Sequence, residues 1–129
     1  MAQFGMTKVL GTGYEEALRT VPEALKAEGF GVLTEIDVRE TLKKKLGVGF
    51  RPYKILGACN PPLAHEALSK ELEVGVLLPC NVIVYEGDDG KAVVTMVDPL
   101  QTVAREHPEL RGIAETVRGK LERVLSSLT

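Results

Sequence analysis

The chain has two cysteines and two asparagines, and each asparagine directly follows a cysteine, at Cys59-Asn60 and Cys80-Asn81. Rigid backbone flanks both pairs, Pro61-Pro62 after the first and Pro79 before the second. A deprotonated thiol is a nucleophile and a soft metal ligand, and a side-chain amide both donates and accepts hydrogen bonds. Brought together, the two pairs would make one site, suited to a small ligand, a thiol redox couple or a metal. Cys59 is expected where a strand ends and a helix begins, a setting whose free amides and dipole favour a thiolate. Cys80 lies within an apolar run and should be desolvated and less reactive. Packing explains the same residues in another way, since cysteine is a small, commonly buried side chain and asparagine a good helix cap. CxxC spacing is absent, and a four-ligand zinc site would have to recruit His65, His107 or carboxylates. Cofactor and metal content stay open at this point.

A second cluster carries charge. Six basic residues, Arg39, Lys43, Lys44, Lys45, Arg51 and Lys54, stand against one acid, Glu40, in the segment they span. They would suit a small anionic ligand, and a solvated helix face explains them as well. Nucleic-acid binding is not expected, because only Phe50 and Tyr53 supply nearby stacking surface and the net charge is -2. Gly11-Thr12-Gly13 lies between a strand and a helix, but Glu16 occupies the third glycine position and no Gly-Lys-Ser/Thr follows, which excludes a phosphate loop. Ser69, Ser126 and Ser127 lack a nucleophile-elbow context. No catalytic residue emerges.

The elements that must hold these residues follow from periodicity. Thr7–Leu10 reads as a short strand. Thr12 and Glu15 have capping-box spacing, and Tyr14, Leu18, Val21 and Leu25 form one helical stripe, with Pro22 predicting a kink or two shorter helices. Phe30, Val32, Thr34 and Ile36 alternate as the dry face of a second strand. Asp37 and Glu40 open a short helix that Gly47 ends. Tyr53–Cys59 is extended, and Asn60-Pro61 starts a helix whose stripe is Ala64, Ala67, Leu68 and Leu72, with Gly75 as its stop. Pro79 interrupts the next apolar run, so the strand proper is expected over Asn81–Glu86. Gly87-Asp88-Asp89-Gly90 turns it back through Lys91–Val97. Asp98-Pro99 with Gln101 predicts a short helix, His107-Pro108 restarts helical structure, and Leu110, Ile113, Val117, Leu121, Val124 and Leu128 stripe the longest helix. Helices interleaved with five strands, ending in a hairpin, predict α+β: a two-layer sandwich of helices on a mainly antiparallel sheet of about five strands, with a doubly wound sheet as the alternative that the late hairpin argues against.

At 129 residues and 44% hydrophobic content, the sequence supports one core and one domain, 1–129. No apolar run approaches the roughly 20 residues of a membrane span. The N-terminus lacks a signal-peptide pattern. A soluble, cytoplasmic protein with reduced thiols is therefore expected. Scarce asparagine, glutamine and cysteine beside 18 acidic and 16 basic residues resemble a heat-adapted composition. Gly112, Thr116, Gly119 and Arg123 share one side of the last helix, a stripe that would let a second copy approach, since each helical glycine otherwise costs about 1 kcal/mol against alanine.

The runs Gly29-Phe30-Gly31-Val32-Leu33-Thr34-Glu35-Ile36-Asp37-Val38, Tyr53-Lys54-Ile55-Leu56-Gly57-Ala58-Cys59-Asn60-Pro61 and Leu78-Pro79-Cys80-Asn81-Val82 together resemble the bacterial and archaeal family called domain of unknown function 302. The resemblance covers nearly the whole chain. It implies a compact α+β domain with an antiparallel sheet, often homodimeric, with no established activity and no catalytic residues to carry over. Three classes of function remain open: a module binding a small molecule or anion near the two Cys-Asn motifs, a thiol-redox or metal-binding protein using Cys59 and Cys80, and a homodimeric interaction domain without catalysis.

Overall fold

The computed structural model describes residues 4–129, so the first three residues of the expected domain lie outside the described residues. In chain order the elements are β1 (Gly5–Val9), α1 (Tyr14–Ala27), β2 (Gly31–Asp37), α2 (Val38–Leu46), β3 (Tyr53–Cys59), α3 (Pro61–Lys70), β4 (Cys80–Glu86), β5 (Ala92–Val97) and α4 (Arg111–Ser127). Short 3-10 helices at Leu72–Leu77 and Pro108–Leu110 complete the chain. The sheet order is β1-β5-β4-β3-β2, and each neighbouring pair is antiparallel. This is the expected α+β sandwich.

The core lies where α1, α3 and α4 cover one face of the sheet. Leu56 and Ala58 of β3 stand beside Val82 and Cys80 of β4, and Val94 and Met96 of β5 continue the layer. Against them α1 buries Ala17, Val21 and Leu25, and α4 buries Ile113, Val117, Leu121 and Val124. The stripe predicted for the last helix is realised in full, from buried Leu110 to buried Leu128. Removing side chains of that size from water stabilises the fold by about 1.5–3 kcal/mol each.

Several local expectations are corrected. Helix α1 starts at Tyr14 with Gly13 as its cap and no side-chain cap bond, so Thr12 does not form the capping box. It runs unbroken through Pro22, because a proline forfeits one backbone bond while the buried stripe on either side continues. Helix α3 ends at Lys70. The extended backbone of Glu71, at φ −147°, then resets the helical phase, leaving Leu72 83% exposed instead of in the stripe. The segment after Asp98 is a series of turns, not a helix: the Asp98 carboxylate accepts from Leu100 N at 2.9 Å, closing a local turn in place of a helical cap.

Strand β2 departs most from its pattern. Val32 pairs with Ala58 and Thr34 with Gly57, so Leu33 is an extra, bulged residue. One inserted residue reverses the alternation. Val32 therefore faces the helices, whereas Thr34 and Ile36 face away and Glu35 and Asp37 take the helix side. The single dry face is split in two.

No helix of the described residues is long and apolar enough to cross a membrane. On the sheet face turned away from the core, the register places Thr7 and Val9 of β1 and Val93, Thr95 and Val97 of β5. It continues with Asn81, Ile83 and Tyr85 of β4, Tyr53 and Ile55 of β3, and Thr34 and Ile36 of β2. Tyr53 and Tyr85 stack there, with ring centroids 5.4 Å apart and planes 9° apart. No charged residue stands among these positions.

Candidate functional site

Ala58 and Cys80 are directly opposed across β3 and β4, which brings the two Cys-Asn motifs to one end of the sheet. There Cys59, Asn60 and Cys80 share the wall of a cavity of about 50 Å³ with Phe30, Leu63 and Ala67. Pro99, Val103, Ile113 and Val117 close it from the side of α4. Part of its wall is made of small side chains, Ala58 on the sheet and Ala64 and Ala67 on α3.

Both thiols are free. Burial pushes the Cys80 thiol up to about 11, and the neighbouring Cys59 thiol adds to the shift. Removing an anion from water is costly, so Cys80 keeps its proton at neutral pH and serves as a small apolar group with a weak S–H donor. The desolvation expected from its apolar run is present.

Asn60 is fully engaged in structure. Its oxygen accepts from Leu63 N at 3.5 Å as the N-cap of α3, with Pro61 at the first helical position. Its nitrogen donates to the Glu28 carbonyl at 3.4 Å. Asn81 is exposed on the opposite face of the sheet, paired with Gly57, and contributes nothing to the cavity. The second Cys-Asn pair is thus divided by strand alternation, one residue in and the next out.

The basic residues lie elsewhere, and none of Lys43, Lys44, Lys45, Arg51 and Lys54 lines the cavity. Lys44 pairs with Glu40 at 2.9 Å. Arg51 reaches Asp88 at 3.0 Å and the Glu86 carbonyl at 3.1 Å. Lys54 sits opposite Asp37 in the sheet register. Lys43 borders a separate hollow of about 180 Å³ together with Arg39, Gly47, Val48, Gly49 and Phe50.

Neither histidine faces the thiols. His107 instead lies with Glu71 and Glu109, ligand-capable atoms of all three within 4.8 Å of one another at the surface. The His107-Pro108-Glu109 spacing hints at part of this cluster, whereas nothing local ties Glu71 to it. No sequence signal marked the uncovered sheet face either, because its residues come from all five strands.

The sequence matches the family described as Domain of unknown function DUF302 over residues 6–128. The chain belongs to the DUF302 family. Its fold is also that of an uncharacterized conserved DUF302 protein from Bacillus stearothermophilus, whose crystal structure superposes with a TM-score of 0.91 at 36% identity. That alignment covers 99% of this chain and 100% of the other. No curated protein matches. The resemblance carried by the motifs around Cys59 and Cys80 is therefore a family relationship, and the DUF302 core places those motifs on neighbouring strands.

Proposed function

We propose that this DUF302 chain is a homodimeric binding module whose two copies join through the uncovered sheet face. The observation that carries this reading is that no strand position on that face is charged, in a protein in which 26% of residues are charged, with Arg51, Asp88 and Asp89 gathered beside Val9, Tyr85 and Val93 at one end of it. Strands about 4.8 Å apart with residues about 3.4 Å apart give five strands a flat area of roughly 500 Å². Two copies would then cover about 1,000 Å², the size at which specific interfaces begin. A twofold axis sets the same patch against itself, and a neutral patch does so without like-charge repulsion. The stacked Tyr53 and Tyr85, at the end of the β3–β4 register, would supply an aromatic anchor for such a contact. The stripe on α4 supports a dimer less well, since Arg123 pairs with Glu28 of its own chain at 3.0 Å. Light scattering at micromolar concentration should give twice the chain mass, and Ile83→Lys should give a folded monomer. A wild-type monomer throughout that range would refute the proposal.

A second reading is favoured by the convergence of Cys59, Asn60 and Cys80 on one cavity. Its size selects the ligand. A cavity of about 150 Å³ holds benzene, and drug-sized ligands occupy 300 Å³ or more, so about 50 Å³ admits only a few heavy atoms. Its apolar lining and lack of basic residues disfavour an anion. A small thiophilic species fits better, such as a monovalent copper ion displacing the two thiol protons. Native mass spectrometry after exposure to Cu(I) should show one bound ion, lost in Cys80→Ala. An unchanged mass removes this reading and leaves the dimer untouched.

A further inference from the structure

We infer that the hollow at the end of α2 binds an anion that carries an aromatic ring, an aryl carboxylate or aryl phosphate. Arg39 and Lys43 stand one helical turn apart on α2 and both border the hollow, with Gly47, Val48, Gly49 and Phe50 making the rest of its wall. No acid is among these residues.

Charge pairing separates these two cations from their neighbours. Lys44 and Arg51 are held by Glu40 and Asp88. Among the described residues neither Arg39 nor Lys43 has a carboxylate partner within 4 Å. A guanidinium beside an ammonium gives a carboxylate or phosphate both a planar two-point donor and a second positive charge. The negative end of the α2 dipole is nearby, and Lys43, Lys44 and Lys45 in the last turn offset it. Beyond the helix, Gly47 turns the chain at φ 68°. Among the described residues the Val48 and Gly49 amides bond to no backbone carbonyl, which leaves N–H donors at the same rim.

The apolar part of the wall sets the ligand apart from a bare anion. Val48 and Phe50 are 45% and 44% exposed. Phe50 borders the hollow and leans on Tyr53 with ring centroids 6.2 Å apart. At about 180 Å³ the hollow exceeds the roughly 150 Å³ that accommodates a benzene ring. A solvated charge run would need neither the aromatic wall nor the hollow.

The test is a titration of the full chain, followed by backbone amide NMR, with phenyl phosphate, benzoate, inorganic phosphate and benzyl alcohol. Phenyl phosphate and benzoate should give saturable shifts at Lys43 and at Gly47 to Phe50. Inorganic phosphate, lacking the ring, should bind roughly tenfold more weakly, a difference of about 1.4 kcal/mol, and benzyl alcohol should not saturate. The double variant Arg39→Ala/Lys43→Ala alters exposed side chains, should keep its circular dichroism, and should lose at least about tenfold in affinity. Phe50→Leu should weaken the aryl anions while leaving inorganic phosphate unchanged. Absence of saturation by about 10 mM, shifts centred elsewhere, equal binding of inorganic phosphate, or full binding by the double variant would each overturn the site. Ile83→Lys should bind as wild type does, so this outcome is separate from that of the dimer.

Discussion

The side-chain nitrogen of Asn60 donates to the Glu28 carbonyl at 3.4 Å while its oxygen caps the first turn of α3, so one amide joins the end of α1 to the start of α3. Loss of an N-cap costs about 1 kcal/mol, and loss of a part-buried hydrogen bond about 1 more. Asn60→Ala should therefore destabilise by about 2 kcal/mol in urea unfolding, and Asn60→Asp, which keeps the cap and loses the donor, by about half as much. No loss in Asn60→Asp would show that the bond to Glu28 carries no weight, and equal losses in the two variants would show the same of the cap.

The raised Cys80 thiol makes stability depend on alkaline pH. Its folded value of about 11 lies above the ~8.5 of a free thiol, so between those values the native state holds more protons than the unfolded chain. The stabilisation is complete below about pH 8.5 and falls as pH rises toward 11, by roughly 3 kcal/mol in all. Unfolding free energies at pH 8, 9.5 and 10.5 should show this slope in the wild type and a shallower one in Cys80→Ala. Identical slopes would assign the titration to other groups.

Gly57 admits no side chain. A Cβ there would fall on the Thr34 hydroxyl and within 2.7 Å of Pro79 Cγ. Gly57→Ala should cost 1–3 kcal/mol, the usual range for overpacking. Adding Thr34→Ala removes one of the two obstacles and should recover part of that loss. Recovery of nothing in the double variant would place the whole conflict at Pro79.

Asp98 supports the wall of the thiol cavity by closing the turn at Leu100 and by its charge. Arg118 Nε lies 3.2 Å from its other oxygen, near enough for attraction but outside hydrogen-bond geometry. Asp98→Ala should cost about 2 kcal/mol, and Asp98→Asn, which keeps the turn acceptor, about 1. Similar costs for both would mean that the charge, not the turn, is what matters.

Elements whose cause is local were legible in the residues. The Asn60-Pro61 helix start, the β4–β5 hairpin and the stripe from Leu110 to Leu128 each follow from neighbouring side chains. Where a single residue changes phase, periodicity misled: Leu33 bulges and divides the dry face of β2, and Glu71 extends and turns Leu72 outward. The meeting of Cys59 with Cys80 was suggested by their matched asparagines, yet the asparagines do not share the cavity. Alternation along β4 sends Asn81 to the far side, and that depends on register, which single-strand patterns do not encode. The Arg39 and Lys43 hollow was hidden within a longer basic run, because only the tertiary pairing of Arg51 with Asp88 and the sheet position of Lys54 separate them from it.

The bulge at Leu33 also bears on how β2, one of the sheet's two open edges, would meet another chain. Strand β2 is an open edge, and an unbroken edge would let another chain add its own strand and grow a fibre. An incoming strand that matched Gly31 and Val32 would be out of step from Thr34 onward, and would meet the acidic Glu35 and Asp37 beyond it. Templating stops within a few residues. Deleting Leu33 should restore a continuous edge, and concentrated solutions of that variant should gain thioflavin T signal that the parent lacks.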